Sequence, residues 1–456
     1  MEAPELPPLP YSSLFPITTL AIKTYLLSQN PQTGQISGIG NWQIANGYTA
    51  ICLHDRYSGT RTFEDAITAA LQVYGSKCNG NGKKIGFVRN EFNDDALWWG
   101  CCLVAAWRAY GDRNGDVGRG WIENARGIQR MLVEGGFWVE KSRFSVGDMD
   151  MEGGVFWTRR PEESALNSIT TGLFAQLTAD LARIEMELGI GADGCVGSAA
   201  AAEGQAVVPE SERKMQTKTS HSFFNKLQQV FHSQPDTHDK ASTAPLPQLD
   251  IHLASTSLAW IIRCRLHPTK NLITDTINIH THNLIDWTFT YTTGQTIGAC
   301  VALSKLAPTP TSHPRTYYLS LATDLAITAM QQTKQPPWVT PAGILTEQTA
   351  YGPTNHRADQ NNDAVGFKSI LIRQLAALYE VLDPTFTDHE NDAMEAARIR
   401  CLLRTFINTQ FLELQRVNVN SVGQYGPWWA GPFDTPTSHS QMAVLDVMAA
   451  VMLVNR

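Results

Sequence analysis

The sequence predicts an all-α fold, a toroid of helical hairpins in which alternate helices form an inner ring and the others cover it. Three observations predict it. Apolar residues recur with helical spacing along most of the chain. Strand-like alternation is scarce and short, as in GVFW at 154–157. Polar and aromatic clusters fall on every second helix, which a random scatter of core aromatics would not do.

About twelve helices follow from the apolar spacing. The first three, 15–29, 41–57 and 61–77, rest on that spacing alone. The fourth, 93–110, opens on NDDALWW. Asn93 is a good N-cap, and Asp94 and Asp95 complement the exposed N–H groups and the positive end of the helix dipole. The fifth covers 118–134, and DMDMEGGVFWTRR (148–160) leads into the sixth, 163–188, which contains ALNSITTGLF (165–174). Residues 190–250 are small, polar and proline-punctuated, and read as a flexible insertion within one domain, with SFFNKLQQVF (222–231) as a short amphipathic helix. The helical pattern resumes at 252–265. WTFTYTTGQTIGA (287–299) opens the eighth helix, 288–306, and the ninth spans 314–333. NNDAVGFKSILIRQLA (361–376) opens the tenth, 364–382, and the eleventh spans 390–414. YGPWWAGPFDTPTSHSQMAVLDVMAA (425–450) leads into the twelfth, 437–454. The whole chain, 1–456, is expected to be one catalytic domain with an excursion.

The bulk properties narrow the function. With 43% hydrophobic and 17% charged residues among 456, the chain can bury a large core and argues against long disorder. A net charge of −7 leaves no basic footprint, so nucleic acid is not an expected partner. The 12 tryptophans suit sugar stacking as well as packing. None of the 8 cysteines forms a CxxC pair, so they read as buried free thiols, with one or two disulfides as the alternative. The N-terminal segment lacks a basic n-region and is interrupted by Pro16 and Lys23, so neither an export signal nor a membrane span is expected. The carboxylates of DMDMEGG lack a continuing calcium-loop pattern, and the histidines of HTH (280–282) lack an obvious third ligand, so no metal or cofactor is expected.

The motif blocks, in this order, resemble glycoside hydrolase family 76, the α-1,6-mannanases of bacteria and fungi. That family's pattern is an Asp-Asp pair followed by Ala-x-Trp, a Gly-Gly-x-x-Trp loop, an Asn-Ala-Ile-x-Asn-x-Leu-Phe helix, Tyr-Asn-Gln-Gly, Phe-Lys-Gly-Ile-x-x-Arg and Ser-Gln-x-x-Ala-Leu. The matching positions are Asp94-Asp95, Gly153-Gly154 with Trp157, Asn167 through Phe174, Tyr291 through Gly294, Phe367 through Ile370 with Arg373, and Ser440-Gln441. The resemblance covers roughly 40–455. Thr171, Thr292, Thr293 and Ser369 depart from the pattern, which alters the expected sugar contacts while leaving the Asp pair intact.

The resemblance implies an (α/α)6 barrel and retaining hydrolysis of α-1,6-mannosidic bonds, acting within α-mannan or manno-oligosaccharides. By position, Asp94 would be the nucleophile and Asp95 the general acid/base. Retention needs two carboxyls about 5–5.5 Å apart, which neighbours in one helical turn can plausibly reach. Trp98 and Trp99 could desolvate the pair. Trp157, Trp428, Trp429 and Trp138 could stack on sugar faces, or simply anchor core and loops. Asn167, Tyr291, Lys368 and Gln441 complete the expected binding residues. Asn167 reads equally as a loop cap, Gln441 as support behind the site, and Lys368 with Arg373 as a brace. A monomer is expected. The family is usually exported, yet no export signal is visible, so no compartment is assigned. The rival functions are a transglycosidase using the same covalent intermediate, a carbohydrate-binding protein without catalysis, and an isoprenoid enzyme. The last wants a further aspartate one turn on, where this chain has Trp98 and Trp99.

Overall fold

The computed structural model describes residues 6–76, 86–160, 164–189, 246–306, 313–334, 337–383 and 390–456. Backbone contacts divide the chain into two compact units, Met1–Leu181 with Asp250–Arg456, and Ala182–Leu249. Of the second unit only 182–189 and 246–249 are described. The insertion expected at 190–250, with its amphipathic segment, therefore lies outside the described residues up to 245. Residues 246–250 are helical rather than part of a loop.

The helices are α1 (Tyr11–Leu26), α2 (Asn41–Ser58), α3 (Glu64–Gly75), α4 (Asn93–Glu134), α5 (Ser168–Glu187), α6 (Leu246–Arg265), α7 (Thr290–Ser304), α8 (Arg315–Gln331), α9 (Ala364–Val381), α10 (Glu390–Val417) and α11 (Ser438–Val454). The fourth and fifth expected helices are the two arms of α4. They meet at Gly115, whose φ of 45° and ψ of −114° break the helical run at a residue without a Cβ. Counting both arms gives twelve helices among the described residues.

Every second helix is buried nearly all round: α2, the first arm of α4, α5, α7, α9 and α11. A helix apolar or small on every face belongs inside. These six close a ring. Helix α2 packs on α4 and α11, and α9 packs on α7 and α11. A Cβ on Gly100 of α4 would lie 2.6 Å from Leu177 of α5. Gln295 Nε2 of α7 donates to the Gly172 carbonyl of α5 at 3.4 Å. The fold is the (α/α)6 barrel. In its interior Gln176 Oε1 accepts from the buried amides of Gln295 at 2.6 Å and Gln374 at 3.1 Å, which are thereby satisfied.

Two short sheets were not anticipated. Strands β1 (Ser145–Val146) and β2 (Met149–Asp150) pair antiparallel. Strands β3 (Ala165–Asn167), β4 (Thr274–Asn278) and β5 (Leu284–Thr288) form an antiparallel sheet with Leu166 opposite Ile277 and Ile277 opposite Leu284. The expected helix starts at 163 and 288 therefore yield to strands, and the helices begin at Ser168 and Thr290. At β3 the pairing partner lies about a hundred residues away, and at β5 it is the adjacent strand of a hairpin; in both cases pairing overrides local spacing. The expected extension of GVFW appears as single bridges, Val155 with Trp138 and Phe156 with Leu166. The histidines of HTH sit in the exposed turn between β4 and β5. The six described cysteines are free thiols, and no helix among the described residues is long and apolar enough to cross a membrane.

Candidate active site

The heads of the inner helices bring the motifs together, and α4 contributes the Asp pair. Asn93 starts this helix, but not as a side-chain cap. Its Nδ2 donates to the Phe156 carbonyl at 2.8 Å and its Oδ1 accepts from Arg159 Nη1 at 2.7 Å. This ties the helix head to the loop that carries Trp157. In that loop Gly153 has φ +91°, and a Cβ there would lie 2.4 Å from the Thr256 carbonyl oxygen. Both facts call for glycine.

The two aspartates have different hydrogen-bonding. Both Asp94 oxygens accept: Oδ1 from the Asp95 amide at 3.0 Å, and Oδ2 from Trp157 Nε1 at 3.1 Å. Asp95 accepts twice on one oxygen, Oδ2, from Asn41 Nδ2 at 3.4 Å and from Asn90 Nδ2. Burial, with the Asp95 charge second, pushes the Asp94 carboxyl up to about 8. Burial also raises Asp95, against its two amide donors. Groups linked this strongly titrate as a pair, so the value near 8 belongs to the pair's upper deprotonation step. We expect kcat/KM on a glycan to fall about tenfold per pH unit once pH passes about 8. A pH–rate profile checks this, and a rate still flat at pH 10 overturns it.

An aromatic belt runs outward from the pair. Trp98 lies 6.4 Å from Trp42, Trp42 lies 6.3 Å from Phe367, and Phe367 stacks on Tyr291 at 4.0 Å and 6°. Phe289 lies 5.4 Å from Phe367 and 6.2 Å from Trp287, which is 66% exposed. Its outer end is a groove of about 650 Å3 whose lining includes Asp286, Trp287, Phe289, Asn362 and Phe367. Carboxyls surround the belt. Burial first, then the charges of Asp275, Asp94, Glu347 and Asp363, raise the Tyr291 phenol well above its usual range. Asp363 is exposed and accepts from Gln43 Nε2 at 2.9 Å. Beneath them Glu347, pushed to about 7 by burial, accepts from the Thr290 amide and hydroxyl and holds the head of α7. Lys368, lowered to about 8 by burial, donates to the Val365 carbonyl at 2.8 Å and lies 5.0 Å from the Trp429 ring centroid. Apolar aromatic walls with convergent hydroxyl, amide and carboxyl groups suit a carbohydrate.

The sequence profile of glycosyl hydrolase family 76 matches residues 18–188 and 248–456, most of the chain. The chain belongs to glycoside hydrolase family 76. Family membership makes it a glycoside hydrolase in kind. No functionally curated protein matches it. Similar solved structures share its fold at low identity. An inactive variant of the α-1,6-mannanase of Salegentibacter sp. HEL1_6, with two consecutive aspartates replaced by alanine and α-1,6-mannotetrose bound, is 17% identical with a TM-score of 0.63, covering 97% of this chain and 99% of that one. The family 76 mannosidase Bt3792 of Bacteroides thetaiotaomicron is 12% identical with a TM-score of 0.57, covering 96% and 98%. Dfg5 of Chaetomium thermophilum, in complex with glucosamine, is 13% identical with a TM-score of 0.63, covering 97% and 90%.

In this family 76 chain, Asp94 is bonded to Trp157, and Trp98 and Tyr291 belong to the aromatic belt. The other residues expected to bind substrate lie behind it. Trp99 is fully buried, packs on Tyr74 at 4.1 Å and donates to Asn41 Oδ1 at 2.9 Å. Asn167 is 5% exposed and its Oδ1 accepts from the Thr170 amide, the loop-cap alternative. Trp428 packs on Tyr351 and Trp429 is 2% exposed. Trp138 donates to Ser257 and anchors its loop. Gln441 spends its amide on Ala21, Gly423 and Tyr425 backbone groups. Lys368 is 3% exposed and is not bonded to Arg373, which instead braces α9 to α11 and α2 through Asp446 and Asn46. Sequence reading missed Asn41, Trp42, Gln43, Asn90, Asp363 and the wider role of Arg159. A signal existed for the first three: motif clusters marked every even-numbered helix except the second, and Asn41-Trp42-Gln43 is its head.

Proposed function

We propose that this chain cleaves α-1,6-mannosidic bonds with retention, Asp94 acting as nucleophile and Asp95 as general acid/base. The observation that carries the reading is the unequal bonding of the pair. Both Asp94 oxygens accept N–H donors, which favour its ionised form against the burial that raises it, whereas Asp95 is held through Oδ2 alone and has Oδ1 left for a proton.

In the first step an Asp94 oxygen attacks the anomeric carbon, the bond to the leaving oxygen breaks, and the Asp95 proton goes to that oxygen. In the second, water attacks the same carbon, gives its proton to Asp95, and the bond to Asp94 breaks. Trp157 Nε1 steadies the Asp94 charge, and Trp98, Trp42, Phe367 and Tyr291 offer apolar faces to the sugar rings. The mannotetrose complex of the Salegentibacter relative supports the choice of glycan.

The test is incubation with linear α-1,6-mannan, with product sizing and anomeric NMR. Shorter products released first as the α-anomer are expected. Release as the β-anomer overturns retention, and intact mannan overturns the substrate. Products longer than the substrate identify a transglycosidase using the same intermediate.

A further inference from the structure

The two amides on Asp95 are themselves locked in orientation. Asn41 Oδ1 accepts from Trp99 Nε1 at 2.9 Å and from the Tyr74 hydroxyl. A flipped Asn41 amide would set its NH2 against the indole N–H, so Nδ2 is committed to Asp95. Tyr74 is itself fixed by the Arg89 guanidinium over its ring, 3.1 Å from the centroid. Asn90 Oδ1 accepts from the Phe92 amide at 3.2 Å, and its carbonyl accepts from Arg159 Nη2. Its Nδ2 is likewise committed. The two donors therefore come from different elements, the head of α2 and the loop before α4, and reach the same carboxyl oxygen.

That oxygen cannot carry the carboxyl hydrogen without losing an N–H donor. Among the described residues no hydrogen-bond donor reaches Asp95 Oδ1. We propose that Asn41 and Asn90 are positioning residues that confine the Asp95 proton to Oδ1, so that one oxygen serves as both acid and base through the catalytic cycle. This rests on Asp95 being the acid/base. The other charged or titratable groups acting around this carboxyl are Asp94, Asp363, Arg159 and Tyr74. Their charges affect whether the proton is present, whereas the amides decide which oxygen holds it. Without the clamp the proton divides between two oxygens, and a fraction of the acid is unproductive.

The experiment compares parent, Asn41→Ala, Asn90→Ala and Asp95→Asn, all as full-length chains, on two substrates. One is an α-1,6-manno-oligosaccharide, whose leaving oxygen needs protonation. The other is an activated aryl mannoside that the parent cleaves, read as the pre-steady-state burst of phenol. The clamp predicts a loss of about 10- to 100-fold on the oligosaccharide in each Asn variant. It also predicts a phenol burst rate within about threefold of the parent, because an activated leaving group needs no acid. Equal losses on both substrates, or none on either, overturn the clamp. Asn41→Ala leaves Trp99 and Tyr74 unpaired and risks misfolding, whereas Asn90→Ala lies in a loop and decides the matter alone. If Asp95→Asn itself loses both rates equally, the acid/base reading falls and takes the clamp with it. If Asp95→Asn discriminates between substrates and neither Asn variant does, only the clamp falls.

Discussion

Asp94→Asn is expected to abolish glycosyl-enzyme formation and reduce turnover to background, because an amide is a poor nucleophile. Asp95→Asn behaves differently. On oligosaccharide it loses about 10²- to 10⁴-fold, the usual share of general acid catalysis. On an activated aryl glycoside its first step recovers, and the slow second step accelerates when azide is added, since azide needs no base. The product is a glycosyl azide of retained configuration. Mass spectrometry of the trapped intermediate and NMR of the azide adduct check both arms. Azide rescue of Asp94→Asn instead would reverse the two roles. Wild-type activity in both variants on a cleaved substrate would reduce the pair to a helix start.

The largest stability effect is expected at Arg373. Its guanidinium forms a bidentate pair with Asp446, Nε to Oδ1 at 2.7 Å and Nη2 to Oδ2 at 2.9 Å. It also donates to the Asn46 side chain at 2.6 Å and its backbone carbonyl at 3.1 Å. Arg373 is 6% exposed and Asp446 1%. Arg373→Met leaves that carboxylate buried without its cation, which costs about 3–5 kcal/mol. At roughly 1 °C per kcal/mol for a chain of this length, the melting temperature falls by about 3–5 °C. The sign of the pH effect follows. Burial already raises the Asp446 carboxyl, and Arg373 opposes that. Without Arg373 the folded-state value rises further, while the unfolded state is common to both proteins, so the variant's deficit grows as pH rises above the parent's already raised Asp446 range. Melts at pH 5 and pH 8 check this. Arg373→Met with Asp446→Leu should regain most of the loss, because no charge is then stranded.

The fold was legible where burial is uniform. Helices such as α11 are apolar on all faces, and their spacing shows it without any partner. It was not legible at Ala165–Asn167, because β3 exists only by pairing with β4, more than a hundred residues away. The site divides along similar lines. Asp94 and Asp95 stand out as adjacent carboxylates at a helix head. Asn41 and Asn90 do not, because an asparagine near a helix start reads as a cap or loop residue. Only the Asp95 oxygen that both reach gives them meaning. Trp99, Asn167, Trp429 and Gln441 are all buried in the structure. Their motifs marked the inner ends of the barrel correctly, but a motif does not say which of its residues face the cavity and which hold the backbone behind it.

Ring closure has a consequence for how the protein is made. Helix α2 meets α11, so the earliest part of the chain waits for the last before its inner face is covered. Gln43 is joined to Asp363, Asn46 to Arg373, and the Ala21 carbonyl to Gln441, separations of 320, 327 and 420 residues. Such contacts form only after a large loss of chain entropy, which favours slow assembly. During synthesis the Asp pair is complete once the fourth helix emerges, but Gln43 still lacks Asp363 and the inner ring stays open until the final helix docks. A chain shortened before Ser438 therefore lacks the α11 face on which α2 packs and leaves the Ala21 carbonyl without Gln441.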